Sequence, residues 1–238
     1  MANATPYAHD PAVFPAEAAD PHCLAEGEGA LLLRDAPWKR FAVVGDSLAE
    51  GLGDPLPGYR TASWADRVAE VLRTATPDLA YTNLGVRGRT AAQVRAGQAA
   101  AAAGFGPDLV CVVCGGNDLL LPGFSPARVG RELDLLFAGL ANPGTTVFTY
   151  ALTDVARAVP ELRGSPLEQG VGVLNSVTGA AAARHGVLVV GMDGHPAAGD
   201  RDLYSADLVH FSARGHAVAA AATVRALATR LPGGAAPV

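Results

Sequence analysis

Residues 41–48 read Phe-Ala-Val-Val-Gly-Asp-Ser-Leu, four apolar residues halted by a glycine and followed at once by an acid and a hydroxyl. A short apolar run bounded in this way predicts a buried strand that ends at a functional loop. The same transition recurs at 79–85 (LAYTNLG), 108–115 (DLVCVVCG), 145–152 (TTVFTYAL) and 186–192 (GVLVVGM). Segments of helical period separate these runs. Trp64, Val68, Val71 and Leu72 share one face, as do Val129, Leu133, Leu136, Phe137 and Leu140. Further helices are expected at 90–103, 167–184 and 213–230, where the alanine tract at 99–103 reflects helix propensity rather than a ligand site. Repeated strand-then-helix order predicts an α/β fold with a mostly parallel sheet covered by helices. In such a sheet ligands bind beyond the C-terminal ends of the strands, which is where every polar motif of this chain falls.

The 238 residues, half of them hydrophobic, suffice for one sizeable core. The net charge of −5 is spread along the chain with no sustained basic run, which argues against a nucleic-acid partner. Residues 1–37 are rich in Ala and Pro and form an N-terminal extension, either flexible or wrapped around the domain that follows. The main domain is expected over 38–230, with a short tail at 231–238. The N-terminus has neither a basic segment nor an uninterrupted apolar one, so a cytoplasmic protein is expected. No run is long enough for stable membrane insertion. Cys23, Cys111 and Cys114 read as buried free thiols, because the CxxC spacing of the last two lies within a core strand and lacks a second pair.

The chemistry concentrates at four places. In Gly45-Asp46-Ser47-Leu48, the glycine permits a tight turn and Ser47 stands where free backbone N–H groups favour developing negative charge. A serine hydroxyl is a weak nucleophile and needs a base. Asp207-Leu208-Val209-His210 supplies one: an aspartate that fixes the imidazole tautomer leaves the other ring nitrogen of His210 free to accept the serine proton. Gly85 and Asn117 each follow a predicted strand. If their loops converge, the amides of Gly85 and Ser47 and the side-chain amide of Asn117 can donate to one oxyanion. Asp46 and Asp118 are read as organisers of these loops.

Taken together, GDSL at 45–48, NLG at 83–85, GGND at 115–118 and DLVH at 207–210 resemble the SGNH hydrolases, the GDSL esterase and lipase superfamily, over about residues 38–230. The resemblance implies a flavodoxin-like α/β/α sandwich around a five-stranded parallel sheet. It also implies Ser47 as nucleophile, Asp207 and His210 as the rest of a triad, and Gly85 and Asn117 as oxyanion donors beside the Ser47 amide.

The expected activity is hydrolysis of a small-molecule carboxylic ester with a short or medium acyl group through an acyl-serine, with no metal or organic cofactor. Two alternatives stay open: acyl transfer by the same triad, and an inactive acyl- or carbohydrate-binding module. Arg87 and His195 are candidate substrate-binding residues, and His216 is expected to pack or cap locally. Asp46, Asn117, Asp118 and His210 are conceivable metal ligands, but no local motif gathers them. Oligomeric state is not readable.

Overall fold

The computed structural model describes residues 13–232. Two short helices, α1 (Pro15–Ala19) and α2 (Glu28–Leu32), precede β1 (Arg40–Gly45), α3 (Ser47–Glu50), α4 (Trp64–Ala75), β2 (Ala80–Asn83), α5 (Ala91–Phe105) and β3 (Leu109–Val113). There follow α6 (Gly116–Leu120), α7 (Pro126–Leu140), β4 (Thr146–Ala151), α8 (Pro166–His185), β5 (Leu188–Gly191) and α9 (Ala213–Ala228). The five strands form one parallel sheet in the order β2-β1-β3-β4-β5. This is the flavodoxin-like three-layer sandwich.

Side-chain alternation along β1 explains the two layers. Phe41 and Val43 enter a cluster with Trp64, Val68 and Leu72 of α4 and with Val218 and Leu227 of α9. Ala42 and Val44 enter the opposite cluster, with Val94 of α5, Leu133 and Phe137 of α7 and Leu174 of α8. A strand covered on both faces must be apolar throughout, and residues 41–45 of β1 are all buried. Cys111 of β3 and Cys114, just beyond its end, follow the same rule. Cys111 faces the first cluster and Cys114 the second, so CxxC spacing here sets the thiols on opposite sides of the sheet. Burial pushes both thiols well up, and that of Cys23 up to about 12.

Residues 13–37 lie against α4 and α9. Cys23 and Leu33 are buried in the core, and three ion pairs fasten the segment: Glu17 to Arg67 at 2.5 Å, Asp20 to Arg214 at 2.7 Å and Glu28 to Arg225 at 2.8 Å.

The strand order positions the site. From β1 the chain crosses outward to β2 and then returns to β3 on the other side of β1. The loops after β1 and β3 therefore diverge and leave a crevice at the carboxyl edge of the sheet. Ser47 follows β1 and Asn117 follows β3, so both overlook that crevice.

Candidate active site

Gly45 ends β1 at φ 155°, with the Val113 backbone so close that an added Cβ would lie 1.9 Å from its carbonyl oxygen. No side chain fits there. The Gly45 backbone is clamped by Gln98, whose amide both donates to its carbonyl and accepts from its N–H at 2.8 Å. Asp46 caps α3 by accepting from Leu48 N–H, which brings Ser47 to the first helical position. The Ser47 N–H has no acceptor among the described residues.

The other partner comes from a turn at 205–210. Ser205 N–H donates to the His210 carbonyl at 2.8 Å and closes the turn, in which Leu208 adopts φ 61°. A left-handed leucine is strained, and here the strain lets one carboxylate serve three donors. Asp207 Oδ1 accepts from the amides of Val209 and His210, and Oδ2 from His210 Nδ1 at 2.6 Å. Burial by itself would raise the Asp207 carboxyl. The His210 ring and the two amides outweigh that and hold it at about 2. An ionised Asp207 can only accept, so Nδ1 carries the proton. Nε2, the ring nitrogen left to accept, lies 2.8 Å from Ser47 Oγ.

Asn117 sits in α6 with Nδ2 donating at 3.2 Å to Asp46 Oδ2 and at 3.1 Å to the Arg89 carbonyl. Asp46 is 1% exposed, and burial raises its carboxyl to about 6 against the lowering effect of the Leu48 amide, His210 and Asn117. Asp118 accepts from the Ala91 amide and fixes the start of α5.

Gly85 does not offer the free amide that the sequence reading expects. Its N–H donates to Asn83 Oδ1 at 2.9 Å, and an added Cβ would fall 2.3 Å from the Glu50 amide nitrogen. The glycine is needed for close packing on α3, and its amide is already occupied. Three residues on, Gly88 at φ 75° has an N–H with no acceptor among the described residues, and its neighbour Arg89 is the residue bonded to Asn117. A second glycine in NLGVRG was the available signal.

The two candidate substrate residues are also committed to the protein. Arg87 forms a two-pronged pair with Glu50, at 2.7 Å for the shortest contact. His195 caps a 3-10 turn by accepting from Ala197 N–H, lies edge-on to His22, and is absent from the walls of the cleft. His216 is buried. Its Nδ1 accepts from Trp64 N–H at the start of α4, and Nε2 faces the Leu52 carbonyl.

A cavity of about 110 Å³ opens beside Ser47. Trp64, Tyr150, Leu152, Val171, Met192 and Tyr204 are among its walls. The polar atoms of the three aromatic walls bond within the protein: Trp64 Nε1 to the Leu48 carbonyl, Tyr150 Oη with Thr223 Oγ1, and Tyr204 Oη to the Ala198 carbonyl. At these three walls the cavity therefore meets ring carbon rather than hydroxyl or N–H. Among the described residues, no group of three or more His, Cys, Asp or Glu side chains is arranged to hold a metal ion. No described helix is long and apolar enough to cross a membrane.

A buried serine bonded to an oriented imidazole, at the carboxyl edge of a parallel sheet, defines a serine hydrolase. The profile of the GDSL-like lipase/acylhydrolase family matches residues 43–218, and the chain belongs to that family. It is a carboxylester hydrolase. No curated protein matches it. Among solved structures it is similar in fold to LAE5, an alpha/beta hydrolase enzyme from the metagenome of Lake Arreo, Spain, with TM-score 0.64, 22% identity and 79% of this chain and 94% of that one covered. A lipase/acylhydrolase from Enterococcus faecalis gives TM-score 0.63 and 21% identity over 83% of this chain and all of the other. The acetylxylan esterase Axe2 from Geobacillus stearothermophilus gives TM-score 0.61 and 21% identity over 79% and 94%.

Proposed function

We propose that Ser47 attacks the carbonyl of a small-molecule ester with a short or medium acyl group, with His210 as general base and Asp207 holding the imidazole. The observation that carries this reading is the unbroken series of contacts from Asp207 Oδ2 through His210 to Ser47 Oγ. His210 Nε2 takes the hydroxyl proton as the Oγ–C bond forms. The carbonyl oxygen becomes an oxyanion, met by the N–H groups of Ser47 and Gly88 and by Asn117 Nδ2. Gly88 takes the place that sequence reasoning gave to Gly85. Collapse of the intermediate breaks the C–O bond to the alcohol, which leaves with the proton from Nε2. Water, deprotonated by the same nitrogen, then attacks the acyl-serine, and as the Oγ–C bond breaks Nε2 returns the proton to Ser47 Oγ and the acid departs.

The acyl group occupies the cavity. Its 110 Å³ compares with about 150 Å³ for a cavity that accepts benzene, which matches an acyl group of about four to six carbons. Residues 38–230 serve as the hydrolase domain, with 13–37 as a clasp upon it. Three unpaired buried thiols support a reducing, cytoplasmic setting.

The test is hydrolysis of an ester series from acetyl to decanoyl, with an acetylated carbohydrate included because one structural neighbour is an acetylxylan esterase. Ser47-dependent turnover with a labelled Ser47 after phosphonate treatment is expected. A folded protein without turnover on the series and without label on Ser47 would overturn the reading.

A further inference from the structure

The buried carboxylate beside the nucleophile has no step in the reaction above. Asp46 cannot act as a base on Ser47, whose Oγ is bonded to His210 Nε2. Its two oxygens face elsewhere, Oδ1 to the Leu48 amide and Oδ2 to Asn117 Nδ2. Asn117 has two amide hydrogens, directed at Asp46 and at the Arg89 carbonyl. An oxyanion is a stronger acceptor than a neutral carbonyl, so the Arg89 contact is the one that gives way when charge develops. The Asp46 contact remains and fixes the plane of the amide.

We propose that Asp46 is a positioning residue of the reaction: by accepting one Asn117 hydrogen, its carboxylate aims the other at the oxyanion. The inference rests on the assignment of Ser47 and Asn117 given above. A neutral carboxyl would weaken this hold twice over, because it is a poorer acceptor and because its own proton competes for the space facing Nδ2. The charged and titratable groups facing Asp46 are His210 from the turn before α9, Asp118 from α6 and the Cys114 thiol at the end of β3. His210 favours the ionised form and Asp118 opposes it. Burial is the larger influence and brings the carboxyl to about 6, within the range where the enzyme can be assayed. Protonation of Asp46 should therefore lower turnover in acid.

The experiment measures kcat and KM on a butyryl ester from about pH 7.5 to about pH 4.5 for the wild type, Asp46→Asn, Asn117→Ala and the double variant, with recovery checked on return to neutral pH. In the wild type kcat/KM is expected to fall about 10-fold or more further between about pH 7.5 and about pH 4.5 than in either single variant, because the protonated carboxyl holds Asn117 no better than the amide of Asp46→Asn does. Both single variants are expected to lack that additional step. At neutral pH Asp46→Asn is expected to lower kcat on the order of 10- to 100-fold, with KM changed by less than about 3-fold, as for a group that acts through an oxyanion donor. Once Asn117 is alanine, removing Asp46 should cost less than about 3-fold more. The same acid profile in the wild type and in Asn117→Ala, or full additivity of the two substitutions, would overturn the proposal. If Asp46→Asn does not fold, the acid profiles of the wild type and Asn117→Ala still decide it. Ser47→Ala, run in parallel, separates this inference from the reading beneath it: turnover that survives Ser47→Ala sinks the mechanism, whereas Ser47-dependent turnover with the same acid profile in the wild type and Asn117→Ala sinks only the role of Asp46.

Discussion

His210 Nε2 stands 2.8 Å from Ser47 Oγ although 163 residues separate the two in the chain. The strand order brings them together: β1 delivers the serine to the crevice, and the turn before α9 returns the histidine to it. Ser47→Ala removes the nucleophile and leaves the packing almost untouched. Turnover should fall by about 10⁴-fold or more with the thermal midpoint unchanged, read by initial rates beside an unfolding curve.

Asp207→Asn keeps the shape of the turn and reverses the hydrogen-bond demand at Nδ1. The imidazole then presents the wrong tautomer to Ser47, and kcat should drop on the order of 10³- to 10⁴-fold at neutral pH. The wild-type carboxyl is held at about 2, below its ordinary value of 3.8. Its contribution to folding is therefore complete above the ordinary value and is lost as pH falls toward 2. Acid unfolding below pH 4 should lose that component in Asp207→Asn.

The cavity wall at Val171 offers a test of chain length. Val171→Phe fills space beside Tyr150 and Leu152, so activity on acetyl esters should persist while hexanoyl turnover falls about 10-fold or more. Overpacking of a partly rigid wall is expected to lower stability by about 1–3 kcal/mol, which a urea titration will register. Equal losses on both esters would mean that the acyl chain lies elsewhere.

Glu17 and Arg67 are respectively 3% and 7% exposed in their side chains, a pair taken almost wholly out of water. Glu17→Ala leaves the guanidinium buried without its carboxylate. A destabilisation of about 3–5 kcal/mol is expected in chemical unfolding, with kcat at neutral pH unchanged in the folded fraction.

His216 gives a signature of opposite origin to that of Asp207. Burial lowers its ring from 6.5 to about 4. The folded state thus prefers the neutral ring, and the stability linked to it is full above 6.5 and is lost as pH falls through 4, by about 3 kcal/mol in all. Asp46 works the other way, because its carboxyl is raised and gains its proton in the folded state first as pH falls below about 6. The whole-protein curve conceals both effects. The difference between wild type and His216→Gln across this range isolates the histidine, and a difference independent of pH would show that its ring is not held neutral by burial.

The sheet and its order of chemistry were legible because they depend on local pattern. Buried strands must be continuously apolar, and Gly45, Ser47, Asn117, Asp207 and His210 each follow such a run or precede a helix. What the pattern could not reveal depends on distant partners. Gly85 looked like a free amide, yet its constraint is the α3 backbone 2.3 Å from a would-be Cβ. Arg87 looked like a cation in a site loop, yet Glu50, 37 residues earlier, accepts its guanidinium. His195 looked like a substrate-binding residue and caps a turn instead. Residues 13–37 are held by three ion pairs and a few scattered core side chains, Cys23 and Leu33 among them, rather than by a continuous helix face, so no period marks them in the sequence.

Those ion pairs also bear on the order of assembly. Glu28 meets Arg225 across 197 residues, and Asp20 meets Arg214 across 194. Contacts of such separation can close only after nearly all of the intervening chain has been made. Arg214 also grips Asp200 and Asp202, just upstream of the turn that bears His210. A growing chain on the ribosome can thus present β1, β2, β3 and Ser47 well before the turn that carries His210 has been made.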